Sequence, residues 1–275
     1  MAPGSVEVRP GLSDKRRIFA DGLLQDKVAL ITGGGTGIGR GIALTMAAYG
    51  ARVVLASRNR EHLDAVAADI AAQGGHALAV PTDVREPQQV DAMLAAAVEA
   101  LGRVDVLVNN AAGSFLASAR KITPGGWRAL IDTTLNGTFY CSRAVGEHMI
   151  QQGGGRIINV TATLHFKGSP GLMATTAAKA GVEAMTKTLA LEWAKYDILV
   201  NAIAPGPIYS PGADRNLWSN REFHDKVRRG VPLGRFGAVE DVANLAVYLA
   251  SPAGGYMTGA TLVVDGGEWL KKGQE

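Results

Sequence analysis

Hydrophobic positions along this chain fall into two alternating kinds of run. Short, nearly continuous apolar runs occur at Val28–Ile31, Arg52–Ala56, His76–Val80, Val104–Val108, Arg156–Val160, Leu199–Ile203 and Ala260–Val264, and they read as buried strands. Between them lie longer stretches of helical period. These are Ile38–Tyr49 (with Ile42, Met46 and Ala47 facing a sheet), Arg60–Gln73, Pro87–Leu101, a long region from Thr123-Pro124 to Gln152, a run containing Ala174–Ala184, and Val239–Ala250. Gly74-Gly75 ends the second helix and Pro124 opens the long one. Strand and helix in strict alternation predict an α/β fold: one doubly wound parallel sheet of about seven strands, with helices on both faces. Residues 1–20 read as an extended arm and 21–275 as a single domain. Residues 209–230 break the pattern, being polar, Arg-rich and interrupted by Pro211 and Gly212; we expect a substrate lid there.

Composition narrows the function classes. The 275 residues suffice for one large domain, and no Pro/Ser-rich linker divides them. A formal net charge of +3 suits acidic small ligands but is too weak and scattered for nucleic acid. The lone Cys141 cannot form an internal disulfide and reads as a buried thiol. No apolar run reaches the length of a membrane span, and the first residues lack the apolar core of a signal peptide. A cytoplasmic protein with no metal site and no membrane partner is the expectation.

The chemistry starts at Val28–Arg40, VALITGGGTGIGR. A strand runs into a glycine turn and then into a helix, the context in which such a motif means a dinucleotide. A pyrophosphate rests on backbone N–H groups at a helix N-terminus only where no Cβ intervenes. Gly33, Gly35, Thr36, Gly37, Ile38 and Gly39 are the candidate residues. The second strand ends in Ala56-Ser57-Arg58-Asn59-Arg60. An acid there would hold the ribose 2′-OH of NAD, whereas an Arg accommodates the 2′-phosphate of NADP. No acid is present, so Ser57 and Arg58 predict NADP (NADPH).

The spacing T-G-x-x-x-G-I-G resembles the short-chain dehydrogenase/reductase family. That resemblance implies a Rossmann fold. It implies that Asp83, with Val84, reaches the adenine; a helix N-cap is an equally available role for Asp83. Asn109-Asn110-Ala111-Ala112-Gly113 resembles the family's N-N-A-G element with one extra alanine, which puts Asn110, Ala111 and Ala112 beside the cofactor. Pro205, Gly206 and Ile208 match the segment that covers the nicotinamide amide. Ordinary members reduce carbonyls with a Ser, a Tyr four residues before a Lys, and an Asn on the long helix. In register this chain has Ala162, Thr175, Lys179 and Thr134, so only the Lys is kept. A threonine hydroxyl is far less acidic than a phenol and cannot simply replace it.

Several segments resemble the 2,4-dienoyl-CoA reductases of that family: N-V-T-A-T-L at 159–164, A-A-K-A-G-V-E-A-M at 177–185, L-A-L-E-W at 189–193, A-P-G-P-I at 204–208, V-P-L-G-R-F-G at 231–237 and D-G-G-E at 265–268. The resemblance runs from about Leu23 onward and implies an unsaturated acyl-CoA substrate. Reducing a conjugated C=C gives an enolate rather than an alkoxide, so the Ser–Tyr pair is dispensable. Lys179 would hold the nicotinamide ribose and lend charge to the oxyanion, with Thr134, Thr161 and Thr163 as neighbouring donors. The acid Tyr of mitochondrial-type enzymes falls at Leu164, and the acid Asp of peroxisomal-type enzymes at Thr134. The proton is left to a water held by Lys179 and a threonine, or to His165, for which a solvated surface position is the alternative. Glu147 and His148 read as solvated. Arg215, Arg221, Lys226, Arg228 and Arg229 of the lid are expected near CoA phosphates or on a solvated face. The small residues of Ala174–Ala184, with the resemblance, imply close helix packing between subunits and a homotetramer, or a dimer. A trans-2-enoyl-CoA reductase and an NADP-binding pseudoenzyme acting as partner subunit or sensor are the alternatives, and an ordinary carbonyl reductase ranks last.

Overall fold

The computed structural model describes residues 18–210 and 221–271. Seven parallel strands form one sheet in the order β3-β2-β1-β4-β5-β6-β7. They are β1 (Val28–Thr32), β2 (Arg52–Ser57), β3 (His76–Pro81), β4 (Val106–Asn109), β5 (Gly155–Val160), β6 (Ile198–Pro205) and β7 (Thr261–Val264). The strand order reverses between β1 and β4, which opens the crevice where sheets of this kind bind ligands.

The sheet is sandwiched, and its side chains sort by parity. Ala29 and Ile31 of β1 point to a core shared with α1 (Gly37–Ala48), α2 (Arg60–Ala71) and α9 (Val239–Ala250), where Ile42, Met46, Leu63, Ile70 and Val242 are buried. Val28 and Leu30 point to the opposite core, with α3 (Pro87–Leu101), α5 (Gly137–Gln152) and α7 (Met173–Trp193). Cys141, Val145 and Met149 lie there, and burial pushes the Cys141 thiol up to about 12, as expected of an inert thiol. Each fully buried Leu or Ile contributes roughly 1.5–3 kcal/mol. Ala47 is half-buried, at the margin of the first core.

The long helical region is not one helix. It divides into α4 (Pro124–Ile131), a π-helical turn (Asp132–Asn136) and α5. Within the turn Asn136 Nδ2 donates to Asp132 Oδ1 at 2.8 Å. Such turns inside α-helices occur frequently at functional sites, and this one carries Thr134. The end of the expected arm is pinned, because the N–H groups of Ile18 and Phe19 donate to the Tyr49 hydroxyl at 3.0 and 3.3 Å. Residues 1–17 and 211–220 of the arm and lid lie outside the described residues, Arg215 among them. The rest of the lid region includes a basic helix, α8 (Arg221–Gly230), in which Arg228 pairs with Asp225 at 3.5 Å.

Candidate active site

The glycine turn is built for close approach. Gly33 has φ +65° and Gly37 has φ +53°, both left-handed. A Cβ on Gly39 would stand 2.2 Å from the Gly33 carbonyl oxygen and 2.4 Å from Asn110 Nδ2. Thr32, ending β1, locks the turn to β4: its hydroxyl accepts from the N–H groups of Asn110 and Ala111 at 3.0 and 3.1 Å. Asn110 Nδ2 donates to the carbonyls of Thr32 and Gly33 at 3.0 and 3.2 Å, so this side chain shapes the turn from behind. On its other side, among the described residues, only Ser210 Oγ, at 3.7 Å, would meet a Cβ on Gly37. A stripped glycine surface at a helix N-terminus fits a dinucleotide pyrophosphate.

The side chains expected at the adenosine end of a dinucleotide lie around β2 and β3. Ser57 Oγ lies 3.3 Å from where a Gly35 Cβ would be. Arg60 is held by Asp64 on α2, whereas Arg58 makes no hydrogen bond or ion pair among the described residues. Asp83 is gripped by a fork from Arg85, which lowers its pKa against the opposing effect of burial. The N-cap of α3 is Glu86, so the capping role considered for Asp83 is not the one it takes. Val84 is buried and packs against Gly137, where a Cβ would stand 2.7 Å from Val84 Cγ2.

The candidate catalytic side chains lie toward the C-terminal ends of β5 and β6. Lys179, two turns into α7, is 6% exposed and donates to the Val160 carbonyl oxygen at 2.5 Å. Burial lowers its pKa to about 8, because a low-dielectric setting penalises the ammonium. One turn earlier, the Thr175 hydroxyl is buried with no hydrogen-bond partner among the described residues. A buried hydroxyl left unpaired costs roughly 1–3 kcal/mol and so asks for a ligand. Residue type alone discounts Thr175 as an acid; that its hydroxyl is available for a hydrogen bond shows only in its burial. Of the other threonines, Thr161 is engaged, donating to the Ile203 carbonyl at 3.1 Å. Thr163 is buried, and its N–H donates to the Pro205 carbonyl at 3.1 Å. Thr134 is 1% exposed and is reached by the Gly113 N–H at 3.5 Å, a marginal contact. Gly206 lies tight against Asp265, whose carboxylate accepts from the N–H groups of Gly267 and Trp269, both at 2.8 Å. Ile208, 5% exposed, forms a bridge with Gly237.

Below the site a buried polar chain joins α7 to the sheet. Asn109 Nδ2 donates to Ser142 Oγ and Asn159 Oδ1, both at 2.9 Å, and Asn159 Nδ2 donates to Thr186 Oγ1 at 2.8 Å. Asn109 Oδ1 is buried without a hydrogen-bond partner among the described residues, but the three bonds that do form favour one arrangement of the elements they link. They hold α7, and hence Lys179, in register with β4 and β5.

His165 is not a solvated surface residue. It sits on α6 (Leu164–Lys167) with its side chain 6% exposed, and its Nε2 hydrogen-bonds the Glu183 carboxylate on α7. Its Nδ1 is buried without a hydrogen-bond partner among the described residues. Burial opposes ionisation of Glu183, yet hydrogen bonds from Lys187 and His165 together hold its carboxyl below the usual range. Phe166 packs on Trp269 at 5.3 Å and Lys167 pairs with Glu268, so α6 is tied to the C-terminal turn as well. His148 also departs from expectation: its Nε2 is buried, in a groove between α3 and α5, while Glu147 is exposed. Gly181, one of the small residues expected at a subunit contact, instead receives Leu135 of its own chain. Among the described residues no group of His, Cys, Asp and Glu side chains could hold a metal. No helix among them is long and apolar enough to cross a membrane.

A glycine cradle at the switch point, an acid-free β2 tip and a buried lysine at the end of β5 define a nicotinamide-dependent oxidoreductase of the Rossmann type. The chain belongs to the short-chain dehydrogenase/reductase family: the family profile described as enoyl-(acyl carrier protein) reductase matches residues 33–268. It is 41% identical over 249 residues to a Bacillus subtilis protein named "Probable 2,4-dienoyl-CoA reductase [(2E)-enoyl-CoA-producing]", covering 90% of this chain and 98% of the relative. It is 40% identical to the Pongo abelii peroxisomal 2,4-dienoyl-CoA reductase, named as (3E)-enoyl-CoA-producing, over 98% of this chain and 92% of that one. A short chain dehydrogenase from Bacillus anthracis superposes with a TM-score of 0.85 at 44% identity, over 90% of this chain and 99% of that one.

Proposed function

We propose that this chain reduces a conjugated C=C in an unsaturated fatty acyl-CoA, a 2,4-dienoyl-CoA, with NADPH. The observation that carries the reading is the pair formed by buried Lys179 and the unpartnered Thr175 hydroxyl, where an alcohol dehydrogenase would carry a phenol. The relatives' names support it. The nicotinamide supplies hydride; everything else falls to the chain's own side chains. Hydride addition at the far end of the diene sends charge to the thioester oxygen. Lys179, as ammonium, and the Thr175 hydroxyl stabilise that oxygen, as donors aimed at developing charge do. Thr134, Thr161 and Thr163 wall the same crevice. Gly33, Gly35, Thr36, Gly37, Ile38 and Gly39 bind the pyrophosphate, Ser57 and Arg58 the 2′-phosphate, and Asp83 and Val84 the adenine. Ala111, Ala112, Pro205, Gly206 and Ile208 enclose the nicotinamide half, and Asn110 shapes the turn beneath it.

The resulting dienolate takes one proton, at the α-carbon to give a 3-enoyl product or at the γ-carbon to give a 2-enoyl product. Its source is a water held by Lys179 and Thr175. A second source is favoured by one observation: His165 has Nε2 held by a carboxylate and Nδ1 free, as in acid–base pairs where a carboxylate orients an imidazole. A homotetramer belongs to the same reading, supported by Phe139 on α5 and Leu191 on α7, 47% and 84% exposed. So does a cytoplasmic location.

The test is oxidation of NADPH by 2,4-hexadienoyl-CoA, followed by loss of reduced nicotinamide absorbance, with the product identified by NMR. Turnover that is faster with the dienoyl than with the enoyl thioester is expected. Reduction of a simple ketone with no action on unsaturated thioesters overturns the reading. Tight NADPH binding without any turnover identifies the pseudoenzyme instead.

A further inference from the structure

The glycine turn has a titratable neighbour that the reaction does not use. A methyl on Gly35 would lie 3.0 Å from His62 Cβ and 3.3 Å from Ser57 Oγ, so these two side chains flank the same glycine. His62 stands in the first turn of α2, fixed there because its N–H donates to the Asn59 carboxamide at 3.2 Å. Its imidazole is exposed and makes no hydrogen bond among the described residues.

Charge counting gives this placement a purpose. Four guanidiniums border this end of the sheet. Arg60 is neutralised by Asp64, Arg40 of α1 by Asp69 at 2.8 Å, and Arg85, beyond β3, by Asp83. Arg58 alone is without an ion pair among the described residues. Glu61, beside His62, adds a negative charge. A phosphate monoester carries about −1.5 to −2 charges at pH 7. One guanidinium leaves part of that charge uncompensated, and the exposed imidazole, carried on the Cβ that lies beside Gly35, can supply the rest.

We propose that His62 is a ligand of the 2′-phosphate of NADP, bound as imidazolium, so that the preference for NADPH over NADH strengthens as pH falls. The inference rests on the NADP specificity proposed above. Binding then takes up protons, because the phosphate favours the charged ring. The phosphate's own second proton, with a pKa of about 6, acts in the opposite direction and weakens binding in acid. The sign of the pH dependence therefore identifies the group that titrates.

The experiment measures Kd for NADPH and for NADH by calorimetry between pH 6.5 and pH 8.5, in two buffers of different ionisation enthalpy. It uses the full chain, His62→Gln and His62→Lys. For the wild type the NADPH:NADH affinity ratio should rise about three- to tenfold from pH 8.5 to 6.5, with net proton uptake on NADPH binding. His62→Gln should lose both effects, falling to roughly the wild-type affinity at pH 8.5. His62→Lys should hold the high ratio at every pH. NADH affinity should be the same in all three. A wild-type slope that persists in His62→Gln overturns the proposal while leaving the NADP reading intact. No preference for NADPH at any pH overturns the NADP reading, and the proposal with it.

Discussion

Lys179 Nζ donates to the main-chain carbonyl of Val160 at 2.5 Å, across the gap between α7 and the end of β5. A neutral dipole is the sole partner this hydrogen bond provides. Among the described residues the ammonium makes no ion pair, and burial brings its pKa down to about 8. A cation with a lowered pKa is protonated below that value. Activity that needs the ammonium should therefore fall as pH rises through about 8. The descending limb of kcat/KM against pH reports the free enzyme. Lys179→Met should cost about 10²–10³ in turnover, as removal of an oxyanion donor does. A wild-type rate flat from pH 7 to 9.5 would count against this role.

The same shift has a consequence for stability, of the opposite sense. The unfolded chain holds the Lys179 proton up to about 10.5, the folded chain only to about 8. Between those values the unfolded state binds more protons, so stability gains from rising pH. Relative to Lys179→Met, the wild type should become more stable from pH 8 to 10.5, by about 3 kcal/mol at most. Denaturant melts of both proteins across that range give the difference directly.

Thr175 offers a cleaner dissection, because its hydroxyl has no partner to lose among the described residues. Replacing an unpaired buried hydroxyl by a methyl of the same shape is neutral or stabilising. Thr175→Val should keep or raise Tm while lowering kcat/KM for the dienoyl thioester by about tenfold or more, and Thr175→Ser should restore most of the rate. Unchanged kinetics in Thr175→Val would remove the hydroxyl from the site.

These residues also mark what was legible in the sequence. The strands of the sheet, the glycine turn and the isolation of Lys179 among small apolar neighbours all follow from local pattern, since buried parallel strands must be continuous apolar runs. The π-turn at Asp132–Asn136 was not legible: its Leu135 packs against Gly181 on a helix distant in sequence, a contact that local pattern does not show. Thr175 was read for what it lacks, acidity, because an unpartnered hydroxyl is a property of surroundings. His165 and His148 looked like surface residues for the same reason: a lone polar residue in a sequence carries no sign of what covers it.

His165 and Glu183 allow the two proton sources to be separated. Glu183 has a lowered pKa, so its stabilising contribution is present above the unfolded value near 4.5 and is lost as pH falls through the folded one. Glu183→Gln should therefore destabilise the fold at pH 7 and much less below pH 4.5, as measured against the wild type. Kinetics decide what the pair does. If the imidazole gives the proton, His165→Gln should lower kcat about 10²–10⁴-fold, the range for loss of a general acid. The ratio of 3-enoyl to 2-enoyl product should change with it, because the proton now arrives from another direction. If the pair only ties α6 to α7, KM for the acyl-CoA should rise while kcat and product ratio stay fixed. The water held by Lys179 and Thr175 is then the source, and deuterium from solvent should appear at the same carbon in wild type and variant.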